Sequence, residues 1–225
     1  MRIVLILFIL FVSPFQALSA GNESGNSFGK AKEILQKKIY RDYRVTFYGQ
    51  CTFDTKKVVD WASCGFKPRK QANRGARVEW EHVMPAWEFG HQLQCWQKGG
   101  RKACRKDSTF RAMESDMHNL QPAVGEMNGD RSNFKYGMIA GEARLYGDVD
   151  FEVDFKQRLA EPMPSVRGDI ARTYFYMEKV YGIHISRKQR QLFTAWAKQD
   201  PVDAWERQRN KDIYAIQGNT NTFVQ

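Results

Sequence analysis

Four cysteines constrain the fold of this chain more than any other feature of its sequence. Cys51, Cys64, Cys95 and Cys104 all fall in the first half of the 225 residues. In an exported protein an even number of cysteines indicates disulfides, and the short separations favour the pairs Cys51–Cys64 and Cys95–Cys104. The sequence alone allows three pairings. A structural zinc site is the alternative, although the chain has no Cys-x-x-Cys pair.

The N-terminus indicates that the protein is exported. Arg2 precedes an unbroken apolar run over residues 3–12, and the segment Ala17-Leu18-Ser19-Ala20 follows. This order is typical of a secretory signal peptide, and ten apolar residues are too few for a membrane anchor, which needs roughly 20. We therefore expect residues 1–20 to be a signal peptide and residues 21–225 to be a periplasmic or secreted domain without membrane attachment.

The composition indicates one globular, basic domain. Apolar residues make up 42% of the chain and charged residues 27%, which argues against collagen-like, coiled-coil, disordered and polytopic membrane proteins. The charge balance is unusual, with 35 Lys and Arg against 25 Asp and Glu. Removing the signal peptide removes only Arg2, so the exported chain stays strongly positive. Such a chain should attract polyanions.

The hydrophobic pattern predicts an α+β domain with a helical C-terminal part. The predicted helices span residues 30–40, 169–181, 187–198 and 200–213, and the predicted strands 44–48, 78–85, 117–122 and 151–155. Residues 21–28 should be mobile, and residues 91–107 should form a basic loop held by cysteines. Pro122 should open a helix over residues 125–131. The composition of that helix is poor for helical propensity, so something else must hold it.

Two polar clusters are candidates for catalysis. Glu79 and Glu81 lie two residues apart on an extended segment, and His82 follows directly. Glu81 and His82 point to opposite faces of such a segment unless the backbone bends. The second cluster covers residues 115–122 and leads into residues 125–133. Phosphodiester hydrolysis would use such groups, because histidine can take a proton from water and carboxylate and amide oxygens suit a hard divalent ion.

Five motifs in order resemble the endonuclease I family of bacterial periplasmic and secreted nucleases. They are Glu79-Trp-Glu-His-Val-Met-Pro-Ala86, Asp116-Met-His-Asn-Leu-Gln-Pro122, Asn128-Gly-Asp-Arg-Ser-Asn133, Arg167-Gly-Asp-Ile-Ala-Arg-Thr-Tyr-Phe-Tyr-Met177 and Asp200-Pro-Val-Asp-Ala-Trp-Glu206. The resemblance covers nearly the whole mature chain. It implies a single mixed α/β domain around a ββα-metal motif, with disulfide-stapled loops.

The resemblance also implies a role for each site residue. Glu81 and Asn128 would be the protein ligands of one magnesium ion, with manganese or calcium as alternatives. His82 would be the general base, and the products would carry 5′-phosphates. Arg101 matches an arginine that contacts the cleaved phosphate, and Glu114 matches an acidic position at the site.

Each of these residues also has a structural interpretation. His82 could be an ordinary buried histidine, Glu81 a salt-bridge partner, and Asn128 a polar residue of a helix. The basic neighbours of Arg101 could serve the phosphate equally well, and Glu114 could be a solvated helix residue.

Residues outside the main motif carry weaker predictions. His118 and Asn119 could support the site, contact DNA or be structural. The run Tyr174-Phe175-Tyr176 favours a place in the core over a base-stacking surface.

The sequence therefore predicts a monomeric, magnesium-dependent and sequence-nonspecific endonuclease. Its substrates would be double- and single-stranded DNA and RNA, because phosphate contacts carry no base identity. The alternative is a catalytically silent exported protein that binds nucleic acid, for instance for DNA uptake. The combination of Glu81, His82 and Asn128 favours the enzyme, since a simple binding protein does not need it.

Overall fold

The computed structural model describes residues 21–141 and 143–225, and the predicted signal peptide lies outside them. The described chain is an α+β domain, as predicted. Its helices are α1 (Phe28–Ile34), α2 (Ala72–Gly75), α3 (Ala86–Gly90), α4 (Gln94–Gln97), α5 (Gly100–Cys104), α6 (Ser108–Glu114), α7 (Gly125–Arg131), α8 (Arg167–Tyr181), α9 (Arg187–Gln199) and α10 (Ala204–Gln217). Its strands are β1 (Val78–His82), β2 (Leu120–Val124), β3 (Lys135–Tyr136), β4 (Phe151–Asp154) and β5 (Leu159–Pro162). None of the helices in these two ranges is long and apolar enough to cross a membrane.

Two antiparallel strands and the helix that follows them form the ββα unit of the fold. β1 pairs with β2 so that Glu81 lies opposite Gln121, and α7 begins directly after β2. Pro122 lies inside β2, so its prediction as a helix entrance is wrong. Its carbonyl accepts a hydrogen bond from the backbone N–H of Phe47, 2.7 Å away, on the side facing away from β1. The N–H that proline lacks would point to the same side, so no hydrogen bond of the β1–β2 ladder is lost.

Close packing explains why α7 contains two glycines. A Cβ atom added at Gly125 would lie 2.5 Å from the backbone oxygen of Arg74, and one added at Gly129 would lie 2.5 Å from Arg74 Cζ. Arg74 belongs to α2, so the backbone of α2 packs closely on Gly125 and the Arg74 side chain occupies the space beside Gly129. The poor helical propensity of α7 is the consequence of this contact.

The C-terminal part is helical, as predicted. α8 and α9 pack on each other, and α8 ends at Gly182, which has a left-handed backbone. α10 begins later than the sequence suggested, because Asp203 caps it together with Glu206 in a reciprocal capping box. Tyr174 and Tyr176 of α8 are buried, which confirms their place in the core.

The structure confirms both predicted disulfides, Cys51–Cys64 and Cys95–Cys104, and leaves no free cysteine in the described chain. A zinc site at these residues is therefore excluded. The segment 91–107 is not a simple loop, since it folds into α4 and α5, each of which carries one half-cystine of the second disulfide.

The elements that the sequence did not predict correctly are short strands and bridges. Residues 44–48 form no strand; only Val45 bridges to Thr52, and a turn follows at 47–49. β3 and β5 were not predicted, and they join β4 in a three-stranded sheet with β5 in the middle. Mobility of residues 21–28 stays a prediction, although Asn22 is buried and donates from Nδ2 to Ser115 Oγ at 2.9 Å.

Candidate active site

One open cleft at the ends of β1 and α7 collects four of the five residues that the sequence indicated. Glu81, His82, Arg101 and Asn128 all line it. The remaining lining residues are Phe28, Trp80, Pro85, Ala86, Trp87, Arg131, Ser132 and Asn133. Glu114 is not part of this lining, but it contacts two of the residues that are.

Glu81 lies at the inner wall of the cleft, where its side chain is only 4% exposed. Its Oε1 accepts a hydrogen bond from the Tyr48 hydroxyl at 2.8 Å and lies 3.1 Å from Arg131 Nη1. Burial raises the pKa of Glu81 to about 7, against the opposing effects of the Arg131 charge and the Tyr48 hydrogen bond. The ionised form of a carboxylate with so little solvation is stabilised by a nearby cation.

Arg131 supplies the bend that lets Glu81 and His82 share one cleft. Its guanidinium is fully buried at the end of α7 and donates to the backbone oxygens of His82, at 3.2 Å, and Val83, at 2.6 Å. It also stacks over the ring of Tyr136, 4.5 Å from the ring centroid. Because β1 ends at His82 and the chain turns over Val83, both side chains can reach the cleft. Arg131 lies in the motif Asn128–Asn133, but its position in the sequence predicted no role for it.

The imidazole of His82 is held by its Nε2, which lies 2.8 Å from the backbone oxygen of Glu114. A carbonyl oxygen only accepts, so Nε2 carries the proton and Nδ1 of the neutral ring keeps its lone pair. Burial, together with the positive charges of Arg101 and Arg131, lowers the pKa of His82 to about 4, against the raising effect of the hydrogen bond to the Glu114 carbonyl. The ring also stacks on Phe28, with 4.9 Å between centroids. His82 is therefore a neutral imidazole in a fixed orientation, with Nδ1 unprotonated.

Asn128 is oriented by Glu79, which belongs to the first polar cluster but had no specific role predicted for it. Asn128 Nδ2 donates to Glu79 Oε2 at 2.9 Å, so the amide oxygen is the end left to face a ligand. Glu79 is in turn held by Arg74, whose Nη2 donates to Oε2 at 2.7 Å and whose Nε donates to Oε1 at 2.9 Å. Arg77 Nη2 adds a third contact, at 2.9 Å from Oε1.

Arg101 and Glu114 form a pair at the other side of the cleft. Arg101 lies on α5 and donates from Nε and Nη2 to Glu114 Oε1, each at 2.7 Å. Glu114 ends α6, so a single residue holds Arg101 through its carboxylate and His82 through its backbone oxygen. This geometry gives Glu114 a positioning role.

His118 and Asn119 lie away from the cleft, inside the protein. His118 Nε2 is 3.0 Å from the backbone oxygen of Asn219, and the Asn119 amide makes two hydrogen bonds to the backbone of Met84. Both side chains are buried. Burial argues against contact with DNA for both residues. The hydrogen bonds of Asn119 to Met84, two residues after His82, agree with a supporting or structural role.

The donor atoms at the cleft fit a hard divalent ion that takes few of its ligands from the protein and the rest from water. No group of three His, Cys, Asp or Glu side chains in the described residues could hold a metal. The cleft instead offers one undersolvated carboxylate, Glu81, and one amide oxygen, from Asn128. Such an oxygen pair suits an ion that keeps several waters, as magnesium does, and does not suit zinc.

The comparisons with known proteins agree with these observations. The sequence model of the Endonuclease I family matches residues 27–225. A periplasmic deoxyribonuclease of Aeromonas hydrophila is 51% identical over 223 residues, which cover 97% of this chain and 92% of that protein. Endonuclease-1 of Buchnera aphidicola from Acyrthosiphon pisum is 46% identical over 220 residues, covering 96% and 88%. An extracellular ribonuclease of Bacillus subtilis is 30% identical over 135 residues, covering 52% and 45%. The protein is periplasmic or secreted, like the relatives whose names state a location, and it belongs to the endonuclease I family.

Proposed function

We propose that this protein is an exported, sequence-nonspecific endonuclease that hydrolyses phosphodiester bonds of DNA, and of RNA as well. It uses one divalent metal ion and the His82 imidazole, and it leaves 5′-phosphate ends. The observation that carries the proposal is the shared cleft of Glu81, His82 and Asn128.

His82 acts as the general base. Its Nδ1 takes a proton from a water molecule, and the water oxygen attacks phosphorus in line with the bond to the 3′ oxygen. That bond breaks, the 3′ oxygen leaves and takes up a proton from solvent water, and the phosphate stays on the 5′ side. Because the pKa of His82 is about 4 the ring is neutral at physiological pH, and the Glu114 carbonyl keeps the correct nitrogen free.

Glu81 and Asn128 hold the metal ion, with magnesium as the expected ion and manganese or calcium as alternatives. When bound, the ion stabilises negative charge on the phosphate and on the leaving oxygen. Arg131 keeps Glu81 in place from behind, and Glu79 keeps the Asn128 amide oxygen facing the ligand.

Arg101 binds the phosphate that is cut. Glu114 restrains its guanidinium on one edge, and the side chain remains half-exposed toward the cleft. The surplus of positive charge in the chain adds contacts to neighbouring phosphates. Binding of this kind does not depend on the identity of the bases, which supports activity on double- and single-stranded DNA and on RNA. The protein acts as a monomer.

Plasmid digestion tests the proposal. The wild type should nick and linearise plasmid with magnesium and stop when a chelator is added. His82→Ala should lose cutting and keep DNA binding, whereas His184→Ala, an exposed histidine outside the cleft, should cut like the wild type. Binding without cutting by the wild type would favour the silent nucleic-acid-binding protein instead.

A further inference from the structure

Trp87 is an exposed indole at the rim of the candidate active site. It lies on α3 and is 46% exposed, whereas Trp80 and Trp196 are buried. Its side chain lines the same cleft as His82 and Arg101. The Trp87 side chain is therefore available to a ligand that enters the cleft.

The orientation of the Trp87 ring is fixed from one side. His91 follows one turn later, and the two rings stack with 4.2 Å between centroids and 19° between planes. His91 Nδ1 lies 2.8 Å from the backbone oxygen of Trp87, which holds the imidazole against the indole. No second ring stacks on Trp87 in the part of the chain that the structure describes. A fixed ring with one backed face is suited to stack a flat ligand on the other.

The chemistry of the cleft indicates which flat ligand this is. An exposed indole contributes little to folding, because its apolar surface stays in water. The nearby Arg101 attracts a phosphate, so the ligand should combine an aromatic ring with an adjacent negative charge. An unpaired nucleobase of a nucleic-acid strand has both features, and base–aromatic stacking does not depend on the identity of the base.

We propose that Trp87 is a stacking site for an unpaired nucleobase beside the scissile phosphate. The inference rests on the proposed function, and it adds a substrate preference to it. A base inside a duplex is already stacked on both faces, so Trp87 should favour single strands and locally opened duplexes.

Binding without cleavage tests the inference. Fluorescence anisotropy of a labelled oligothymidine is measured in excess chelator, for the wild type, Trp87→Ala, Trp87→Phe and the control Tyr214→Ala. Tyr214 is an exposed aromatic of α10 outside the cleft. Each protein is also titrated with an abasic strand of the same length, which keeps the phosphates and lacks the bases.

Trp87→Ala should weaken binding of the oligothymidine by about 5- to 150-fold, the range that one lost base stack gives. Trp87→Phe should recover most of the affinity, and Tyr214→Ala should bind like the wild type. The abasic strand should bind wild type and Trp87→Ala equally.

Equal affinity of wild type and Trp87→Ala for the oligothymidine would overturn the inference. An equal loss with the abasic strand would overturn it too, because the effect would then concern the phosphates. If the wild type still cuts plasmid, either of these results would overturn the stacking site and leave the proposed function in place. If the wild type does not cut plasmid, the proposed function and the inference that rests on it would both be wrong.

Discussion

Replacing Gly129 with alanine should weaken metal binding and leave the stability of the fold almost unchanged. The new Cβ would lie 2.5 Å from Arg74 Cζ. Ordinary carbon contacts are 3.5–4.0 Å, so the guanidinium must move by roughly 1 Å or more. That movement breaks its paired hydrogen bonds to Glu79, including the one to the oxygen that holds the Asn128 amide.

The opposing contributions to stability nearly cancel. The Arg74–Glu79 pair is partly exposed, at 32% and 21%, so its loss costs roughly 0.2–1 kcal/mol. Alanine is favoured over glycine inside a helix by roughly 1 kcal/mol. The free energy of unfolding should therefore change by less than about 1 kcal/mol. Metal affinity should fall by about 10- to 100-fold, the usual cost of losing a residue that orients a ligand.

The assay combines urea unfolding, manganese binding followed by electron paramagnetic resonance, and plasmid cutting as a function of magnesium. Gly29→Ala is the matched control, because a Cβ there meets nothing closer than Ser27 Oγ at 3.8 Å. Unchanged manganese affinity in Gly129→Ala would refute the role given to Arg74 and Glu79.

Three further predictions concern stability. Arg131→Met should lower the free energy of unfolding by roughly 3–5 kcal/mol, because Glu81 then stays buried without its positive partner. Urea unfolding measures this change, and a loss of only about 1 kcal/mol would contradict the prediction. Burial lowers the pKa of His118 in the folded state, so the unfolded state binds a proton first as the pH falls. The free energy of unfolding should therefore fall as the pH drops below about 6.5. If it falls equally steeply in His118→Gln, groups other than His118 cause the pH dependence. Replacing Cys95 and Cys104 with serine should cost about 2–4 kcal/mol and reduce cutting, because α5 carries Arg101, and full activity of that variant would argue against the role of this segment.

The ββα unit and the common cleft of Glu81, His82 and Asn128 could be predicted because their information is local. Glu81 and His82 sit in one short motif, and Asn128 in another, so a resemblance of motifs was enough to name them. The two disulfides followed from short separations. The helices α8 and α9 followed from their apolar periodicity, which spans more than three turns.

The supporting residues could not be predicted because they are distant in sequence from what they support. Tyr48 binds Glu81 across 33 positions, and Asn128 binds Glu79 across 49. No periodicity marks such contacts. Pro122 shows the same limit, since only the pairing of β2 reveals that its missing N–H costs nothing.

The metal site itself is tested most directly by calorimetric titration of manganese into the wild type and three variants. We expect the wild type and His82→Ala each to bind one ion, because His82 is the base and not a ligand. Glu81→Gln and Asn128→Ala should bind at least about 10-fold more weakly. Wild-type affinity in Asn128→Ala, or loss of the ion in His82→Ala alone, would contradict the assignment of the site.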